Sequence, residues 1–190
     1  MFPQTQTIGV NDRLGNEAVR DMQGTTRDVY HIIRVPGPYN RFFENVQLAP
    51  FPLSNINENK FQPGETLAVM GAALFTIPTN EGVVDLTAPI DPYVQSNLTT
   101  RNTLLNFLIG GQVVAKDISL QYGGFAVGKV EAGVLGLAGV NQTFYFETPI
   151  VIPPQLEFVA EIQLETVPQN TAIGLVLFGF GTLLNTQNNY

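Results

Sequence analysis

His31 is the single histidine of the chain, and a serine-hydrolase triad would have to use it as its general base. The serines available as nucleophile are Ser54, Ser96 and Ser119. None stands in a Gly-x-Ser-x-Gly elbow, the strained turn that lifts a serine hydroxyl towards its base. His31 lies instead within Val29-Tyr30-His31-Ile32-Ile33, a run that reads as a strand carrying a structural imidazole. One histidine and no cysteine also leave a zinc site short of its usual set of about four ligands.

Carboxylate pairs are the other route to catalysis. Glu157, Glu161 and Glu165 share one face of a predicted strand, where positions four apart lie roughly 13 Å from each other. Glycosidases hold their two carboxyls about 5 to 9.5 Å apart, and the chain has no Trp to serve as a sugar platform. The three glutamates therefore read as a solvated face, or one complementary to a basic neighbour. Asn55-Ile56-Asn57-Glu58-Asn59 has the alternate spacing of a calcium loop but lacks its aspartates and its downstream bidentate Glu, so it reads as a polar turn. Asp85 and Asp91 flank a proline-rich loop and are the remaining candidates for holding an ion. The glycine-studded stretch Gly133 to Gly139 lacks the Gly-Lys-Ser/Thr end of a phosphate loop and does not match the dinucleotide fingerprint. It reads as a surface loop that orders against a neighbour. Two glycosylation sequons, at Asn97 and Asn141, carry no weight in so Asn- and Thr-rich a chain. These residues predict no catalytic group, no cofactor, no metal ion and no small-molecule substrate.

The elements that carry these residues are mostly strands. From Gln155 to Glu165, the positions Leu156, Phe158, Ala160, Ile162 and Leu164 alternate with polar ones, and only Val159 breaks the pattern. A period of two means one face on a core and one outside. Further strands are expected at Val29 to Val35, Arg41 to Leu48, Glu65 to Ile77, Gly82 to Thr87, Gln112 to Leu120, Gly124 to Val130, Gln142 to Glu147 and Ala172 to Leu184. Tight turns are expected at Asn80 to Gly82 and Tyr122 to Gly124. Asn11 to Gln23 could form a short helix, with Leu14, Ala18 and Met22 on one face, and Asn97 to Ile109 is the best internal helix candidate. The fold class predicted is all-β: an antiparallel β-sandwich or jelly roll of about eight strands. The domain would span residues 29–190, behind an extended N-terminal arm at residues 1–28.

Length and composition agree with one assembling domain. A chain of 190 residues fits a single sandwich. Charged residues make up 13% of it, where about 25% is usual, and Asn, Gln and Thr take their place. Such a surface is easily desolvated against other subunits, although extracellular β-domains share this composition. The net charge of −7 with 9 Lys+Arg argues against a specific nucleic-acid groove. Arg13, Arg20, Arg27, Arg34 and Arg41 recur every seven residues, but Gly15, Gly24 and Pro36 to Pro38 interrupt any helix that would align them. No signal peptide is visible, and no stretch of about 18 or more apolar residues would make a membrane-spanning helix.

In the last of these strands, Ile173, Leu175 and Leu177 line one face while Val176, Phe178 and Phe180 line the other. A strand apolar on both faces is covered twice within its domain, or its second face meets a partner chain. Val176, Phe178 and Phe180 are accordingly the candidate interface residues.

The segment from Glu147 to Leu164, with its Ile152-Pro153-Pro154 entry into an alternating strand, resembles the late strands of small jelly-roll capsid proteins of bacteriophages. Phe61-Gln62-Pro63-Gly64-Glu65 is similar to a turn feeding a long strand of such proteins. The resemblance covers about a third of the chain. It implies a major or auxiliary capsid subunit, partnered by copies of itself or other capsid proteins, assembled in the host cytoplasm and residing in the virion. The alternative is a carbohydrate-binding or adhesin-like β-module, for which Tyr39, Phe42, Phe43, Tyr93, Tyr122 and Tyr145 supply aromatic rings. An accessory subunit of a larger complex is a third reading.

Overall fold

The alternating run after Pro153-Pro154 places its even positions from Phe158 onward in a core. In the computed structural model, which describes residues 5–11, 17–80, 83–87, 103–120 and 143–184, it forms strand β9, Phe158–Gln163. Residues 5–11, 17–24 and 183–184 are described by their backbone alone. Phe158, Ala160, Ile162 and Leu164 are buried, but Leu156 is 45% exposed. Gln155 takes a left-handed φ of 64°, and regular pairing begins only at Phe158. Leu156 belongs to the approach, not to the strand.

Nine other strands accompany it: β1 Thr5–Asn11, β2 Glu17–Ile33, β3 Tyr39–Phe42, β4 Thr66–Asn80, β5 Val83–Val84, β6 Leu104–Ile109, β7 Gln112–Ser119, β8 Thr143–Ile152 and β10 Thr171–Leu184. All pair antiparallel. The larger sheet runs β1-β2-β10-β4-β8, with β5 on the far end of β4, and the smaller runs β3-β9-β6-β7. Four of the pairings nest: β2 with β10, β3 with β9, β4 with β8, and β6 with β7. The innermost turn is Gly110-Gly111, with φ of 57° and 77°. Two consecutive positive φ values make the tight hairpin whose twist matches its strands, and glycine adopts them without a Cβ penalty. Pairing of β10 with β4 and of β9 with β6 folds this nested set into two layers.

The layers enclose one core, with Leu67, Val69, Leu74, Ile173, Leu175 and Leu177 from the larger sheet facing Phe42, Leu105, Phe107, Phe158 and Ile162 from the smaller. Phe158 is its hub, with ring centroids 5.2 Å from both Phe43 and Phe61 and 6.4 Å from Phe107. A register shift on β4 between Val69 and Gly71 exchanges its faces. Leu67 and Val69 point inward before it, Ala72 and Leu74 after it. That extra residue is why Glu65 to Ile77 shows no simple alternation.

Several expectations change. The helix at Asn11 to Gln23 is not formed where the chain is described. Glu17–Gln23 lies in β2, paired with β1 on one side, and its Met22 end meets β10 on the other. A single apolar row could not bury a helix, whereas two ladders satisfy every backbone group they touch. β2 runs unbroken from Glu17 to Ile33, through the expected junction of arm and domain at 28/29. The internal helix is also a strand where described, since Leu104–Ile109 is β6. Arg41 to Leu48 yields only the end of β3. Left-handed Phe43 and Asn45 then break the strand into a 3-10 turn, Val46–Leu48. Within Gly82 to Thr87 the described residues form only the two-residue β5. The candidates at Gly124 to Val130, Tyr122 to Gly124 and Gly133 to Gly139 lie outside the described residues.

Phe158→Ala should lower the unfolding free energy by about 3–5 kcal/mol, while Leu156→Ala on the same segment should change it by less than about 0.5 kcal/mol. Urea denaturation measures both; equal effects would contradict this register.

Candidate functional site

The residues placed on the second face of the final strand do lie together. On the outer surface of the larger sheet, register aligns Tyr30, Val176, Ala73 and Thr143 in one row. Asp28, Phe178, Gly71 and Tyr145 form the next, and Thr26, Phe180, Ala68 and Val151 the third. Across these rows the one charged residue is Asp28, at the margin. Phe178 lies flat over Gly71, where any Cβ would overlap its ring, and meets Tyr145 edge-on at 5.5 Å. Val176 and Phe178 are therefore half-buried by their own sheet. Phe180 is 62% exposed, Tyr145 67% and Val151 58%. No described residue forms a layer over them.

The other end of the same face is covered. Ile32, Ile77 and Ala172 pack with Ala49 and Leu53, joined by Tyr30, Phe75 and Val84. Segment 53–55 then closes the edge of β2. Leu53 O accepts the Ile32 N–H at 2.8 Å, Asn55 Oδ1 accepts the Tyr30 N–H at 2.8 Å, and Asn55 Nδ2 donates to Asp28 O at 2.8 Å. An asparagine amide thus serves as a surrogate strand residue. The sequence resemblance of Asn55 to Asn59 to an ion loop gave no hint of this.

His31 sits under that segment. Its Nδ1 accepts the Phe43 backbone N–H at 2.9 Å, so the neutral ring carries its proton on Nε2. The rings of Phe42 and Phe43 lie 6.1 and 6.0 Å away. Burial pulls the imidazole down to about 4 from its ordinary 6.5. Ser54 bridges to His31 through the backbone, but its hydroxyl hydrogen-bonds Tyr30 O at 3.1 Å and Ile56 O at 3.0 Å. Imidazole and hydroxyl each serve the backbone, and no bond joins them. Ser96 lies outside the described residues.

The remaining candidates are dispersed. Glu161 pairs with Arg41 at 3.1 Å, and Arg41 also pairs with Glu44. Arg27 pairs with Glu65 at 3.0 Å and covers the Phe61 ring at 4.3 Å. The described arginines of the seven-residue series thus include two already neutralised by carboxylates. Asp85 takes the Thr87 N–H at 2.9 Å, as a turn residue does, and Asp91 lies outside the described residues. Among the described residues no three His, Asp or Glu side chains gather to hold a metal ion. No helix there is long and apolar enough to cross a membrane. Of the aromatic supply for a sugar site, Phe42 and Phe43 are core residues, while exposed Tyr39 and Tyr145 stand on different sheets. Tyr93 and Tyr122 lie outside the described residues. A cleft of about 500 Å³ between β7 and β8 is lined by Ile109, Val114, Ile118, Phe144 and Phe146, with Glu147 at its wall.

His31→Ala would strand the buried Phe43 N–H and should lower the unfolding free energy by about 1–3 kcal/mol. Urea denaturation at neutral pH tests it, and a change below about 0.5 kcal/mol would show the bond to be dispensable. Comparison of the chain with family models, curated proteins and solved structures gives no match.

Proposed function

We propose that this protein is a virion structural protein, a major or auxiliary capsid subunit that packs with copies of itself or with other shell proteins, and that its sandwich is a jelly roll. The observation that carries the reading is the exposed apolar surface on β10, the strand at the centre of the larger sheet. Leaving a phenylalanine or valine in water forfeits roughly 1.5–3 kcal/mol relative to burial. Three rows of mainly uncharged residues around the exposed Phe180, Tyr145 and Val151, with a single marginal charge, are what a subunit interface supplies.

The strand order supports the jelly-roll part of the proposal. With β1 and β5 set aside, the eight other strands of the ten number from β2 as 1-8-3-6 in one sheet and 2-7-4-5 in the other. That is the pattern of a long hairpin rolled into two Greek keys, an architecture shared by capsid and lectin domains. Charge content of 13% supports the capsid choice within that set, because a subunit enclosed by its neighbours has little exposed surface to keep solvated. In this reading the chain performs no catalysis, carries no cofactor, reads no nucleic-acid sequence, and passes from the host cytoplasm into the virion.

Phe180→Asp tests the reading, with Val35→Asp on an exposed loop as control. Sedimentation velocity and electron microscopy follow assembly, and circular dichroism follows the fold. Phe180→Asp should keep the parent's fold and stability within about 0.5 kcal/mol yet weaken association by about ten- to a hundredfold. Unchanged assembly would overturn the interface. Failure of the isolated subunit to fold would assign Phe180 to the domain's own core.

A further inference from the structure

Beyond its assembly face, the domain contains a buried contact whose acceptor can be abolished by a single proton. His31 Nδ1 holds the Phe43 N–H at 2.9 Å, and Phe43 stands at φ 67°, a conformation that a bulky L-residue adopts only when its surroundings enforce it. Asn45, two residues on, is left-handed as well, at φ 54°. These two residues turn the chain out of β3 and into the 3-10 turn Val46–Leu48. From there it runs on to segment 53–55, which pairs with the edge of β2 at Asp28, Tyr30 and Ile32. The imidazole therefore sits at the root of a strap that closes a sheet edge.

We infer that protonation of His31 releases residues 43–55 from the β2 edge, making this strap an acid-operated latch. A protonated Nδ1 becomes a donor facing a donor, so the bond that holds Phe43 in its left-handed conformation turns repulsive. Among the described residues no carboxylate is paired with the imidazole. Of the charged groups lining the cleft beside the ring, Arg34 follows β2, Arg41 stands on β3 and Glu44 lies on the turn. Glu44 and Glu161, the latter reaching in from β9, are both paired with Arg41. The β10 residue paired with His31 is Leu175, and the facing residue of the strap is Ser54, neither of them charged at any relevant pH. The direction of the His31 shift agrees with this geometry.

The sign follows from linkage. Burial under the closed strap holds the imidazole at about 4, and exposure on opening would return it towards its ordinary 6.5. Between these values the open form holds more protons, so closure is complete above the window and is lost as pH falls through it. Opening would uncover the N–H groups of Tyr30 and Ile32 together with Ile32, Ile77 and Ala172. The result is an apolar, unpaired edge ready to accept another strand.

Hydrogen exchange followed residue by residue tests this, expressed as protection factors so that the intrinsic pH dependence of exchange is removed. From pH 6.5 to pH 4, protection at Tyr30 and Ile32 should fall by about tenfold or more, while Ala160 and Ile162 in β9 keep theirs. His31→Gln, whose side-chain carbonyl can accept the same N–H without titrating, should flatten the response. An equal fall in His31→Gln would overturn the proposal, because the carboxylates common to both proteins would then be responsible. Flat protection in the parent would overturn it too. Should His31→Gln not fold, the parent decides: strap opening must share its midpoint with the imidazole titration read by NMR. Separate midpoints refute the latch.

Discussion

β10 is held on both sides for almost its whole length, by β2 from Ile173 to Leu184 and by β4 from Thr171 to Thr182. Pairing on both edges leaves its two faces to be decided by what lies over them. One face must supply the core, and Ile173, Leu175 and Leu177 do so. The other looks outward from the middle of the sheet, where only neighbouring side chains can shelter it. Gly174 and Gly71 let the rings of Phe75 and Phe178 lie across the sheet. Part of the outer hydrophobic area is covered in that way, and Phe180, Tyr145 and Val151 remain exposed. The closure of the two layers, the nested strand order and the outer apolar rows all depend on this one doubly paired strand.

Where burial alone decides a strand, local pattern is enough to find it. β9 is such a case, because its even positions enter a core of phenylalanine rings, and β10 is another, because its row of Ile173, Leu175 and Leu177 enters the same core. The N-terminal segment reads differently in three dimensions because its stability comes from partners distant in sequence. Nothing in Glu17–Gln23 itself announces a strand; its ladders to β1 and β10 make it one. β6 inside the expected internal helix follows the same rule, as it lies between β9 and β7. Periodicity in β4 failed for another reason, since one extra residue at its bulge exchanges the faces midway.

The outer face was legible in the same pattern. Val176, Phe178 and Phe180 share a side, and the structure adds that the first two are half-buried while Phe180 is exposed. The strap was not legible. Asn55 looked like part of a polar turn, and its role emerges only when its side-chain amide is seen occupying the edge of β2. His31 reads as a structural imidazole in both sequence and structure, but only the structure supplies its partner. The positive φ of Phe43 leaves no mark in the sequence, since phenylalanine is among the last residues one would choose for it. Edge, strap and imidazole are thus one arrangement, and the apolar rows on the same sheet are another. The Tyr30 position joins them, since it borders Val176 on one side and bonds the strap on the other.

The proposed assembly through the outer face of the larger sheet is open to direct test. Hydroxyl-radical footprinting of the assembled protein against its dissociated subunits probes it without any substitution. The account predicts that Phe180 and Tyr145, readily oxidised in the free subunit, become protected on assembly, while Tyr39 on the opposite sheet serves as an internal comparison. Assembled particles in which Phe180 and Tyr145 are oxidised as fast as in the free subunit would contradict it.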